Sequence, residues 1–109
     1  MRLADSHCHL NYKGLGEQQP EVLARARESG VVAMLNIATR EREWDEVLAT
    51  AEREADVWAT VGMHPHDAKD VGPDELRALR ELTSHPKVIA VGETGLDYYW
   101  QKDAPEWQR

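Results

Sequence analysis

Basic residues are scarce in this 109-residue chain: 13 Lys and Arg stand against 20 Asp and Glu, for a formal net charge of −7. That balance excludes non-specific duplex binding through a broad basic face. It leaves room for a nucleic-acid substrate gripped by metal ions and a few local cations. Cysteine is nearly absent too. The one thiol, Cys8, permits no internal disulfide and fits a reducing cytoplasm. No apolar run approaches the ~20 residues of a membrane span, and Met1-Arg2-Leu3-Ala4-Asp5 has no signal-peptide core. Phenylalanine is missing, with four Trp and three Tyr in its place, a balance that assigns no function. There is no low-complexity segment and no Ser/Gly-rich linker, so residues 1–109 read as one small domain with one core.

What the chain does have is a repeat of strand and helix signals. Strand-length apolar runs are expected at Leu3 to Cys8, Val31 to Ile37, Val57 to Gly62 and Val88 to Gly92. Nearly continuous apolar runs of this length suit parallel strands buried on both faces. Between them come helix signals. Pro20 and Glu21 open the first helix, with Val22, Leu23 and Ala26 on one face and Gly30 as its stop. Thr39 can cap the second, whose stripe is Trp44, Val47, Leu48, Ala51 and Ala55. Pro73 opens the third, with Leu76, Leu79 and Leu82 toward the core, and His85 near its end suits a dipole partner. Pro105-Glu106 resembles the start of a fourth. Alternating units imply a parallel sheet with right-handed crossovers. Two folds satisfy this: the first four βα units of a (β/α)₈ TIM-type barrel, which takes ~250 residues in full, or a doubly wound open sheet.

The chemically capable residues follow the strands. His7 and His9 are two apart, so in an extended chain they leave the same face and can share one metal ion. Asp5 shares that face, to orient a ligand or join the ligands, while Cys8 points the other way into packing. Glu93 stands at a strand end between Gly92 and Gly95, where a carboxylate is costly unless paired or metal-bound. It could bridge two ions, one of them held by His7 and His9. His64, in Gly62-Met63-His64-Pro65-His66, suits a contact to a substrate phosphate oxygen or to a water at the metal. His66 suits a structural role. Asp97 has three readings: it orients a ligand histidine, acts on a water at the metal, or caps the Tyr98-Tyr99 turn. Tyr98 and Trp100 offer stacking faces to bases, or pack. Active sites of parallel α/β folds lie at the C-terminal strand ends, where these residues cluster.

Asp5-Ser6-His7-Cys8-His9-Leu10, Gly62-Met63-His64-Pro65-His66 and Gly92-Glu93-Thr94-Gly95-Leu96-Asp97-Tyr98-Tyr99 together resemble the TatD family of metal-dependent hydrolases, in order and spacing. The resemblance spans the whole chain. It implies a (β/α)₈ barrel of the amidohydrolase-like group, two divalent ions (Mg, Mn or Zn), and cleavage of phosphodiester bonds in DNA, with single strands or 3′ ends as the expected substrate. His7 and His9 match the family's first-metal ligands, and Glu93 matches the catalytic carboxylate bridging both metals. The family's remaining two histidines and one aspartate lie on later strands that these residues do not include. The 109 residues are therefore expected to match the N-terminal half of such a barrel, to hold metal weakly alone, to show little nuclease activity, and to self-associate through open sheet edges. Two other functions compete: hydrolysis of a small amide or lactone by the same His-x-His barrel type, and a non-catalytic half-barrel. The Gly92–Asp97 run favours the DNA reading over the amide one.

Overall fold

The computed structural model describes residues 1–102 and 106–109. Four strands, β1 (Leu3–Cys8), β2 (Val31–Asn36), β3 (Val57–Val61) and β4 (Val88–Val91), alternate with three helices, α1 (Gln19–Glu28), α2 (Trp44–Arg53) and α3 (Pro73–Leu82). All neighbouring strands pair in parallel, in the order β1-β2-β3-β4. The order never reverses, so the sheet lacks the switch point of a doubly wound fold. Crossovers of one hand along such an order keep the helices on one side. The fold is that of the first four βα units of a TIM-type barrel. β2 ends at Asn36, one residue before the expected Ile37. The helix start expected at Pro105 lies outside the described residues, and Glu106–Gln108 form a 3₁₀ turn.

The core lies between helices and sheet. Leu23 of α1, Met34 of β2, Trp44, Val47 and Ala51 of α2, and Val57, Ala59 and Val61 of β3 are all buried. The α2 stripe expected from the sequence packs on β3, apart from Ala55, which lies beyond the helix end at Arg53. In α3, Leu79 and Leu82 lean on the core while Leu76 stays 56% exposed. That helix packs through its second half, so its first-turn leucine finds no partner surface. Cys8 turns to the helix side, its thiol 3.3 Å from the Leu35 carbonyl. Burial and the Asp5 charge push that thiol up to about 12. Along the strands, Leu3, Val32, Ile89 and Val91 are 40–59% exposed.

Two features fix the ends of the strands. Near their beginnings, the Arg27 guanidinium, at the end of α1, holds Asp56 and Glu54 at 2.7 Å each, just before β3. The Arg27 hydrogen bond holds the Asp56 carboxyl below its ordinary value, outweighing burial. At the other end, the Thr60 hydroxyl donates to the Gly92 carbonyl (3.1 Å) and takes the Ala38 N–H (3.3 Å), tying the exits of β2, β3 and β4 together. Gly62 then passes so near the backbone of Gly92 that any Cβ at residue 62 would overlap it. The Trp44 indole donates to the Gly62 carbonyl at 2.9 Å and holds that crossing from the helix side.

Candidate metal centre

β1 delivers two imidazoles to its C-terminal end. His7 Nε2 and His9 Nε2 lie 3.2 Å apart. Glu93, just past β4, brings Oε2 to 3.4 Å from His7 Nε2 and 3.9 Å from His9 Nε2. One ligand atom from each of the three fits within 4.8 Å of the others, the spacing of donors around a single cation. The side chains are 51%, 22% and 34% exposed, so the group is open to solvent on one side.

Hydrogen bonding decides what each ring presents. His9 Nδ1 faces the Ile37 carbonyl at 3.2 Å. A carbonyl only accepts, so Nδ1 carries the proton and Nε2 offers a lone pair into the cluster. Neutral imidazole nitrogens beside a carboxylate form a donor set that suits a divalent cation. The residues present therefore fit a metal. His9 also stacks on Tyr12, with ring centroids 4.3 Å apart and planes 15° from parallel.

His64 has the opposite tautomer. It is the N-cap of the 3₁₀ segment Pro65–Asp70, and its Nδ1 accepts the His66 N–H at 3.0 Å. In the neutral ring the proton then sits on Nε2, which points toward Glu93 Oε1 at 3.8 Å. His64 thus turns a donor, not a lone pair, toward the cluster.

The other expected residues lie around this group. The Asp5 carboxylate accepts the His7 backbone N–H at 3.1 Å and stays outside the three-residue cluster. His66 turns away toward Asp97, with Nδ1 and Oδ2 3.7 Å apart. Of the three readings of Asp97, the turn cap is the geometry observed. Its Oδ1 accepts the N–H groups of Tyr99 (2.9 Å) and Trp100 (3.0 Å). Burial pushes the Asp97 carboxyl up, but those N–H groups and the nearby His64 and His66 outweigh it and leave it below its ordinary value. His85 lies far from this end and pairs with Glu52 at 2.9 Å.

Three positioning residues escaped the sequence reading. Asn36, fully buried, accepts the Leu10 N–H at 2.9 Å and donates to the Asn11 side chain at 2.7 Å, locking the chain after His9 onto β2. Tyr12 backs His9. Arg40 projects just beyond β2 and pairs with Asp67 at 2.9 Å. Its place after a strand was the one signal available for it.

A parallel βα sheet with imidazoles and a carboxylate gathered at its strand exits defines the βα-barrel class that builds sites at that face. Within that class, the chain belongs to the family described as TatD related DNase, whose model matches residues 4–109. It is 46% identical over 94 residues to the 3′-5′ ssDNA/RNA exonuclease TatD of Cronobacter turicensis, covering 86% of this chain and 36% of that protein. It is 33% identical over 107 residues to the metal-dependent hydrolase YabD of Bacillus subtilis, covering 98% of this chain and 42% of that one. The solved structure of YJJV, a TatD homologue from Escherichia coli K12, superposes with a TM-score of 0.88 at 31% identity, over 98% of this chain and 42% of that chain. The chain thus spans about two fifths of the length of these relatives. No described helix is long and apolar enough to cross a membrane.

Proposed function

We propose that this chain carries the β1, β3 and β4 side of a divalent-metal phosphodiesterase site acting on DNA, with single strands and 3′ ends as substrate. The observation that carries the reading is the convergence of His7, His9 and Glu93 with His9 Nε2 held as a lone pair. In this reading His7 and His9 are metal ligands, and Glu93 is the catalytic carboxylate shared by two ions. Divalent ions bound there would supply Lewis-acid stabilisation of charge on a phosphoryl group. The chain's own residues do the rest. Glu93 would hold the cations at the strand exits. His64 Nε2–H donates to a phosphoryl oxygen of the substrate. Asp5 and Asn36 hold the β1 exit in place, His66 fills the space beside Asp97, and Asp97 shapes the turn beyond Glu93. The names of the Cronobacter and Bacillus relatives support nucleic-acid hydrolysis and metal use.

The test is hydrolysis of labelled single-stranded DNA with added Mn²⁺, alongside calorimetric Mn²⁺ titration. Turnover by the chain alone is expected to be low, and Glu93→Ala is expected to lower its Mn²⁺ affinity at least tenfold. Unchanged Mn²⁺ binding in that variant would overturn the assignment. We also propose that the chain self-associates. β1 and β4 each pair on one side only among the described residues, and the strands carry the exposed apolar side chains Leu3, Val32, Ile89 and Val91. Unpaired edges and exposed apolar patches recruit other chains. Sedimentation should find a dimer or larger, and a monodisperse monomer would refute this.

A further inference from the structure

A cleft of about 330 Å³ opens beside the metal centre, lined by Tyr12, Thr39, Arg40, His64, His66, Asp67 and Trp100. It adjoins the centre, because His64 lines the cleft and faces Glu93 at 3.8 Å, and Tyr12 stacks on His9. Its volume is at the small end of the range for ligand sites, about 300–1,000 Å³, and suits one nucleotide better than a longer segment.

Its walls have two kinds of chemistry. Tyr12 and Trp100 are 45% and 67% exposed, so both rings have faces open to a stacking partner. Asp97, whose side chain is only 5% exposed, takes the Trp100 backbone N–H and so fixes the main chain that carries the indole, whose centroid lies 6.2 Å from that of His66. Asp97 Oδ2 and His66 Nδ1, both buried, face each other at 3.7 Å and brace this wall from behind. Arg40 is the one Lys or Arg lining the cleft, in a chain that carries −7 overall. Asp67 engages its Nε, at 2.9 Å, which leaves the outer guanidinium nitrogens outside that pair. A planar fork of donors suits phosphate oxygens.

We infer that this cleft is a subsite for the nucleotide next to the scissile phosphate, with its base against Trp100 and Tyr12 and its phosphate on Arg40. The inference rests on the phosphodiesterase reading and adds to it the groups that grip the substrate. It also predicts base dependence without sequence specificity, because stacking accepts any π-face.

The probe is a fluorescent pentathymidylate compared with an abasic oligonucleotide of the same length and charge, both titrated by anisotropy in EDTA so that no cation contributes. The wild-type chain should prefer pentathymidylate about five- to a hundredfold. Trp100→Ala should remove most of that preference, and Trp100→Phe should restore it. Trp100 is well exposed, so neither variant threatens the fold. Arg40→Gln should weaken both oligonucleotides alike and flatten the salt dependence by about one phosphate contact. Equal binding of the two probes by the wild type, including no binding of either, overturns the subsite. So does a Trp100→Ala variant that keeps the preference. The parent reading fails separately: a chain with base preference that binds no Mn²⁺ refutes the metal centre, and one that binds Mn²⁺ without base preference refutes the subsite alone.

Discussion

The chain contains two His-x-His triplets, His7-Cys8-His9 and His64-Pro65-His66, and they do different things. The first lies where β1 runs out, in extended backbone. Alternate side chains share a face there, and the two Nε2 atoms come to 3.2 Å of each other. The second opens a 3₁₀ segment. His64 uses Nδ1 to cap the His66 N–H, the chain turns, and the second imidazole goes to Asp97 instead of the cluster. The same triplet thus makes two convergent imidazoles in a strand and one lone donor at a cap. Spacing in sequence acquires chemical meaning only through the backbone that carries it.

The sharpest way to break the contrast is His9→Ala. It should weaken Mn²⁺ binding at least about a hundredfold by calorimetry, beyond the ~10–100-fold typical of outer partners. A loss under tenfold would place the cation elsewhere. His64→Ala should leave Mn²⁺ affinity within about threefold, since His64 turns a proton toward Glu93. It should also cost about 1 kcal/mol in chemical denaturation by removing an N-cap acceptor. A metal defect matching that of His9→Ala would show the opposite tautomer.

How much of this contrast was visible beforehand follows from the range of the interactions. The β1 triplet was legible because a period of two is a local property. So were the four strands and the α2 stripe, whose apolar spacing reports burial directly. The tautomers were not. The partner of His9 is the Ile37 carbonyl, 28 residues away, reached only through the register of β1 on β2. The tight crossing beside Glu93 depends on Gly62, just past β3, whose neighbour Gly92 is remote in sequence. Tyr12 and Arg40 sit in loops, where no periodicity marks which way a side chain faces. Leu76 followed the helical stripe and still stayed exposed, because periodicity names a face without saying how far its neighbour extends.

Asp97→Asn probes the far side of the second triplet. The folded state holds the Asp97 carboxyl below its ordinary value, so its contribution to stability is present above the unfolded pKa of ~3.9 and lost as pH falls through the folded value. The wild type should therefore exceed the variant in urea midpoint at pH 6, with the gap closing below pH 4. A gap that widens in acid would reverse the sign. The smallest effect belongs to His66→Ala. It should change Mn²⁺ affinity less than twofold, and a larger loss would mean that both triplets feed the same cation.

The Arg27 clamp on Asp56 and Glu54 sits at the strand entrances, away from every group discussed above. Its location gives the molecule two separately adjustable ends. Substitutions that tighten or loosen the clamp act on how firmly α1 is tied to the start of β3, while the exits keep their geometry through Thr60 and Gly62. A protein engineer could therefore raise the melting temperature at one rim and alter substrate choice at the other, with little exchange between the two. Evolution has the same freedom, and drift at the entrances should be nearly silent toward the chemistry at the exits.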